Sequence, residues 1–338
     1  MHFLKKINSL IVSKDQKIYQ AIDKINKSKI KILFVVDKKN KLLGSISSGD
    51  IRRSIVKKID PNQNVQKIMF TKPKYLFKKK NIKKKNENLI CIPIVNKRKV
   101  IVDFQLSHII KNDKKNTIFL MAGGKGVRLL PLTKKIPKPL LKIKGTPIIE
   151  KIITNFRNQG FKNFIISVNY LGHKIKKYLG DGKKLNVSIT YIHEKKYLGT
   201  AGSLSLINHK KTVFPIIIGN SDLISEIDYN NLISYHNKKS SDLTICVKNK
   251  IFEMPYGEIL QSGEKVSKII EKPIIRHLVN AGVYVANKAI LKDLVKNKHL
   301  MMNEFITRKL KKNKKVFSYP VYEKWIDIGN KIDFYNYR

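Results

Sequence analysis

Residues 120–153 read LMAGGKGVRLLPLTKKIPKPLLKIKGTPIIEKII, and this stretch decides the fold of the carboxy-terminal two-thirds of the chain. The apolar run at 117–122 predicts a buried strand that ends in Gly123 and Gly124, with Gly126 two residues on. Glycines let a backbone turn tightly and approach an anion, and successive exposed N–H groups form an anion nest. Lys125 and Arg128 add positive charge to this loop. A phosphate loop of the Gly-Lys-Ser/Thr kind is not matched, because Gly126 follows Lys125. Lys138 stands between Pro137 and Pro139, which predicts an extended segment around it. From 147 to 159, Ile148, Ile149, Ile152, Ile153 and Phe156 share one face of a helix.

The same alternation continues outward. Strands are predicted at 163–168, 187–192, 213–219 and 242–247, with a short helix at 175–179. Strands alternating with helices imply an α/β domain with a Rossmann-like, mostly parallel mixed sheet covered on both faces. Ligands in such sheets sit at the carboxyl ends of the strands, and the informative residues fall there.

Glycine loop, proline-flanked lysine and helix together resemble the sugar-phosphate nucleotidyltransferases. That family includes mannose-1-phosphate guanylyltransferases and glucose-1-phosphate thymidylyltransferases. The resemblance runs in order from 116 to 338. LGTAG at 198–202 is similar to the family's nucleoside-binding loop, and GNSD at 219–222 stands where the family has Asn-Gly-Asp. PYG at 255–257, EKP at 271–273 and NAGVY at 280–284 resemble sugar-side elements, and WIDIG at 325–329 resembles the closing one. Val127 and Ser221 are mild departures.

The resemblance implies that Ala122, Gly123, Gly124, Gly126, Glu194, Gly199 and Thr200 contact the nucleotide and that Gly257, Glu271 and Asn280 contact the sugar. By it, Arg128 and Lys138 hold a triphosphate and Lys272 holds the sugar phosphate; Asp222 and Asp327, each at a predicted strand end, are the candidate pair for Mg²⁺. The substrates implied are a nucleoside triphosphate and a sugar 1-phosphate, with surface-glycan or nonulosonic-type sugar synthesis as the setting. The chemistry suits these residue types. An ionised sugar phosphate oxygen attacks the α-phosphorus in line and pyrophosphate leaves, so no general base is required. What is required is alignment and charge neutralisation, and Mg²⁺ takes hard oxygen ligands. A carboxylate such as Glu194 accepts only, which suits the two adjacent donors of guanine and predicts GTP. Uridylyl or thymidylyl transfer on the same fold is the alternative, and a nucleotide sensor without turnover is a second one. No hexapeptide repeat follows the transferase region, so an appended acyltransferase β-helix is not expected.

Upstream, residues 21–56 read AIDKINKSKIKILFVVDKKNKLLGSISSGDIRRSIV: helix, strand, turn, strand and helix. This small α+β unit resembles a CBS domain, and a degraded second copy is expected at 61–115, with a lysine run at 78–85 in its middle. Such pairs imply either packing or binding of an adenine nucleotide, with Ser47 near a phosphate and Asp50 on a ribose. The expected domains are therefore 1–60, 61–115 and 116–338, with residues 112–116 as the linker. A homo-oligomer is expected.

The chain carries 70 basic and 24 acidic side chains, a formal charge of +46. Only eight of the basic residues are arginine, which leaves 62 lysines spread along the whole chain. Arginine is the residue of bidentate phosphate and base contacts. Its scarcity favours a compositional bias on solvated faces over nucleic-acid binding. Cys91 and Cys246 show no ligand or disulfide spacing. The start MHFLKKINSL lacks the apolar core of a signal peptide, and no run approaches the ~18 apolar residues of a membrane span. A cytoplasmic protein without a membrane partner is expected.

Overall fold

The computed structural model describes residues 9–28, 30–78, 90–107, 114–329 and 331–338. They fall into two units, Met1–Asn112 and Asp113–Arg338. In the first unit, strand β1 (Ile11–Ser13) pairs parallel with β2 (Ile32–Val36), and β2 pairs antiparallel with β3 (Leu42–Ser47). Helix α1 (Ile18–Lys27) buries Ile18, Ala21 and Ile25, which share one helical face. Helix α2 (Ser48–Val56) starts where the sequence places it, capped by Ser47. A second hairpin, β4 (Ile90–Val95) with β5 (Ile101–Ser107), shares one core with the first sheet through Phe34, Leu42, Val95 and Phe104. Among the described residues of this unit the two hairpins are thus joined by one hydrophobic cluster. The predicted lysine run lies outside them, apart from Lys78.

In the second unit the run before the glycine loop becomes β6 (Lys114–Ala122). Its side chains alternate between two cores: Ile118, Leu120 and Ala122 face one, Phe119 the other. That is why the sequence shows an unbroken apolar run, since a strand covered on both faces has no polar side. Removing Phe119, which is fully buried, would cost about 3–5 kcal/mol. The helix predicted at 147–159 is α3 (Ile148–Asn158), and all five expected apolar residues are buried. Beyond it come β7 (Phe161–Val168), α4 (Gly172–Leu179), β8 (Ser188–His193), β9 (Ile216–Asn220) and the short β10 (Leu223–Ser225). Next are α5 (Tyr229–Lys238), β11 (Leu243–Glu253), the hairpin β12 (Glu258–Ser262) and β13 (Lys265–Ile270), and β14 (Ile274–Ala286). The last elements used below are α6 (Met302–Lys311), β15 (Val316–Val321) and β16 (Trp325–Asp327).

The main sheet has the order β8-β7-β6-β9-β14-β11-β15. Only β14 runs against its neighbours; the other pairings are parallel. The sheet is thus mixed and mostly parallel, as the alternation of elements predicts. Helix α3 packs on one face, where Phe156 stacks on Tyr229 at 3.9 Å, and α6 packs on the other through Met302 and Phe305.

Three expectations change. Residues 114–116 are strand and not linker, because Lys114 N–H bonds Gly160 O at 2.8 Å and the Asn116 amide bonds Pro215 O at 2.9 Å. The strand predicted at 213–219 begins only at Ile216; Pro215 has no N–H to give a ladder. The strand predicted at 242–247 runs on to Glu253, because β14 pairs with it along its length, from Leu243 opposite Ala286 to Glu253 opposite Ile274.

Candidate active site

Four charged side chains meet at the carboxyl end of β6 and β9. Ser221 ties these strand ends together: its hydroxyl and its N–H both donate to Met121 O, at 2.6 and 3.3 Å. Asp222 follows directly. Its backbone O accepts Ile328 N–H at 3.2 Å, and Leu223 pairs with Asp327 in the β10–β16 ladder. Asp222 and Asp327, 105 residues apart in sequence, are thereby neighbours across two paired strands. Asp222 does not cap the helix after it; that cap is Asp228, which accepts Asn231 N–H at 2.9 Å.

Lys138 Nζ donates to Asp222 Oδ2 from a buried position. Lys138 is not extended, as expected; it opens a 3₁₀ turn, Lys138–Leu140, behind an extended Pro137. Proline is tolerated in a first helical turn, where its missing N–H has no partner to lose. Burial pushes the Asp327 carboxyl above its usual range, and the charge of Asp222 pushes the same way. Lys138 and Arg128 pull it back down, so all four groups share one electrostatic neighbourhood. Arg128 is exposed on the 3₁₀ turn Val127–Leu129, which Gly126 enters at φ +66°.

The donor set fits a divalent cation. Asp222 Oδ1 is buried with no hydrogen-bond partner, and two adjacent carboxylates repel until a cation joins them. Among the described residues no cluster of three or more His, Cys, Asp or Glu side chains stands ready to hold a metal. Two protein carboxylates, completed by phosphate and water oxygens, is the way Mg²⁺ is held in phosphate-transfer sites.

A second cluster lies beside the first. Ala122 ends β6 and is buried, Gly123 is buried, and Gly124 is exposed with open space where a side chain would stand. A Cβ on Gly123 would come 2.7 Å from Glu194 Oε1, so only glycine lets the loop lie on that carboxylate. Glu194 is just 2% exposed. Its Oε1 accepts the Ser167 hydroxyl, its Oε2 accepts Leu198 N–H at 3.0 Å, and its backbone O accepts the Asn169 amide at 2.7 Å. Two of about four acceptor sites on the carboxylate are thus used inside the protein. Gly199 opens the turn Gly199–Gly202, and Thr200 Oγ1 accepts Met302 N–H at 2.8 Å. Thr200 therefore fixes the loop to the start of α6.

The sugar-side residues divide. Asn280 lies on β14; its Oδ1 accepts Gly282 N–H at 2.9 Å and its amide donates to Tyr284 Oη at 2.8 Å. Gly282, at φ +69°, brings β14 so close to the Asp222 turn that a Cβ would overlap Leu223 and stand 2.8 Å from Asn220 Nδ2. Trp325 Nε1–H closes this corner on Ala281 O at 2.9 Å. Gly257 and Glu271 face each other, Glu271 Oε2 lying 3.3 Å from where a Gly257 Cβ would stand. Lys272 is exposed at φ +43° and, among the described residues, makes no ion pair with Asp222 or Asp327. In the first unit Ser47 and Asp50 are brought together, but as a helix cap. Asp50 Oδ2 accepts the Ser47 N–H and hydroxyl at 2.8 and 2.6 Å, and Oδ1 pairs with Arg53. That carboxylate serves as the cap of α2 and the partner of Arg53.

Ser167 and Asn169 were missed by the sequence reading. A lone serine inside the apolar FIISV of β7 was the available signal, since a buried hydroxyl needs a partner.

The nucleotidyl transferase family model matches residues 115–338, and the CBS domain model matches residues 4–57. The mannose-1-phosphate guanyltransferase of Pichia angusta is 33% identical over 226 residues, which is 64% of this chain and 61% of that protein. The mannose-1-phosphate guanyltransferase of Saccharomyces cerevisiae is 32% identical over 226 residues, 64% of this chain and 62% of that one. The chain spans about three-fifths of the length of these relatives. The crystal structure of HddC from Yersinia pseudotuberculosis complexed with GMP-PN is similar at 27% identity and a TM-score of 0.52, over 66% of this chain and 97% of that one.

Proposed function

This chain belongs to the nucleotidyl transferase family, and we propose that it moves GMP from GTP onto a hexose 1-phosphate of the mannose kind, releasing pyrophosphate, with Mg²⁺ as cofactor. The observation that carries the reading is the meeting of Asp222, Asp327, Lys138 and Arg128 at the carboxyl end of the central strands, beside the glycine loop. Guanine and mannose are favoured by the activity for which the fungal relatives are named and by the GMP-PN complex of the similar crystal structure. A cytoplasmic site of action and a nucleotide-sugar destined for surface glycan belong to the same proposal.

Asp222 and Asp327 would hold Mg²⁺, which when bound supplies neutralising charge to phosphate oxygens. Arg128, exposed on its turn, and Lys138 bind and orient the triphosphate. Lys138 also spans to Asp222, so one cation bridges the phosphate side and the carboxylate side. Backbone N–H groups at 123–126 line the triphosphate's path. Glu194, with acceptor sites left on its carboxylate, takes the N1–H and N2–H₂ of guanine while Ser167 and Leu198 keep it oriented. Asn280 and the Gly257–Glu271 contact hold the sugar, and the exposed Lys272 binds the sugar phosphate. The sugar phosphate is ionised near neutral pH, so alignment and charge do the catalytic work.

A pyrophosphate-release screen of GTP, UTP, dTTP, CTP and ATP against a panel of sugar 1-phosphates tests the reading. GTP with mannose 1-phosphate should give the highest kcat/KM. Release with no pair, from a folded chain, contradicts transfer itself.

A further inference from the structure

A cavity of about 290 Å³ opens beside the nucleoside loop, bounded by Gly202 at the loop's end and by side chains between 293 and 312. Lys298, Arg308, Lys309, Lys311 and Lys312 line it, against one carboxylate, Asp293. Lysine richness alone means little in a chain with 62 lysines. Three further observations set this cavity apart. It is concave, with Leu294, Val295 and Phe305 supplying an apolar wall. Lys309 is only 3% exposed, held by an ion pair to Asp293, which Lys312 also reaches at 2.9 Å. The single carboxylate is thus already shared by two cations, and Lys298 and Lys311 stand at the rim without a counter-charge in the cavity.

The third observation is the backbone link to the loop. Leu300 O accepts both Ala201 N–H at 2.9 Å and Gly202 N–H at 3.0 Å, and Leu300 N–H donates to Leu198 O at 2.9 Å. Contact is tight: a Cβ on Gly199 would stand 2.6 Å from Leu300 O, and one on Gly202 2.5 Å from Lys298 O. The segment 298–302 is therefore the back wall of the nucleoside loop and a wall of the cavity at once.

We propose that this cavity binds a small phosphorylated anion, a sugar phosphate or pyrophosphate, and that its occupation orders the nucleoside loop through Leu300. The charge excess asks for a ligand with two or more negative charges, because charge-assisted hydrogen bonds to phosphate are the strong ones. The apolar wall takes a carbon skeleton. Small-molecule sites run from about 300 to 1,000 Å³; at the small end, a sugar phosphate fits and a whole nucleotide-sugar does not. The proposal goes beyond the transferase reading and does not depend on it, since its test involves no turnover.

The test uses the full chain without metal, titrated by calorimetry with inorganic pyrophosphate and separately with a hexose 6-phosphate, which lacks the reacting 1-phosphate. Hydrogen exchange is followed at the Ala201 and Gly202 amides. The partner variant carries Lys298→Glu and Lys311→Glu, both exposed and outside the catalytic cluster; Lys298→Gln with Lys311→Gln is the milder pair. Wild type should bind at least one probe and slow both amides. The charge-reversed chain should bind it at least about tenfold more weakly, a change worth about 1.4 kcal/mol, without the slowing. Whichever probe binds identifies the source of the phosphate group. Binding of neither probe, equal affinity in the folded variants, or binding with unchanged exchange at both amides would each overturn the proposal.

Discussion

Asp222 gives one carboxylate oxygen to Lys138 Nζ and keeps the other buried with no partner. A half-satisfied buried carboxylate is costly unless a ligand completes it. With Asp327 beside it, a cation is the ligand that would complete it, as the proposed Mg²⁺ site requires. Asp222→Asn and Asp327→Asn should each leave the fold intact and lower kcat by roughly 10²–10³-fold or more at saturating Mg²⁺, since preorganised charge is the largest catalytic term in such sites. Steady-state kinetics on the folded variants, checked by circular dichroism, is the measurement. Near wild-type turnover would remove that residue from the site.

The nucleoside loop gives a sharper lever. Glu194→Gln can keep both internal bonds: its Oε accepts Leu198 N–H, and its NH₂ donates to the Ser167 hydroxyl. The loop should therefore hold, while one guanine donor loses its acceptor. An unpaired buried polar group costs about 1–3 kcal/mol, a roughly 5- to 150-fold loss in kcat/KM for GTP. UTP and dTTP should gain relative to GTP, because an amide can donate to a pyrimidine carbonyl. An unchanged base ranking would show that Glu194 only shapes the loop. Ser167→Ala should raise KM for GTP more than it lowers kcat, as expected of a residue that orients the reader.

Much of this was legible in the sequence, for physical reasons. β6 announced itself because both its faces are buried, and α3 because its apolar residues repeat at helical spacing. Asp222 was legible as the residue just past a strand in a parallel sheet. The Ser167–Glu194 bond was not legible, because it joins β7 to the segment after β8 and no local pattern encodes such a pairing. Lys138 misled: flanking prolines forbid a helix interior but not a single 3₁₀ turn. At Asp50 one Ser-x-x-Asp pattern serves equally as a phosphate-side motif and as a capping box, and the structure shows the capping box.

The second unit should stand without the first. Lys114 begins β6 and its N–H bonds Gly160 O, so a cut after Asn112 spares the sheet, whereas a cut after Lys115 removes part of it. A fragment from Asp113 should be soluble, melt cooperatively and retain kcat/KM within about threefold of the full chain, inside the range of a surface-level change. An inactive but folded fragment would show that the amino-terminal unit takes part in catalysis.

Stability should depend on Asp293 at low pH. Its carboxyl is held down to about 2, first by the hydrogen bond from Lys309 and also by Lys312. A carboxyl lowered on folding adds stability above its unfolded value and loses it as pH falls through the folded one. The contribution should thus be complete above about pH 4 and vanish toward pH 2. Asp293→Ala leaves buried Lys309 without its carboxylate. Asp293 is 45% exposed, so solvent screens the loss to about 1–3 kcal/mol. Thermal melts at pH 6 should show a Tm lower by several degrees, and the gap to wild type should close in acid.

The central claim is that the Asp222–Asp327–Lys138 cluster carries nucleotidyl transfer. Incubating the full chain with Mg²⁺, mannose 1-phosphate and GTP labelled either at the α- or at the γ-phosphate tests it most directly. The α-label should appear in a nucleotide-sugar and the γ-label in pyrophosphate, and both should disappear in Asp222→Asn. Retention of the α-label in GTP or GDP, or label transfer undiminished in the folded variant, would contradict the account.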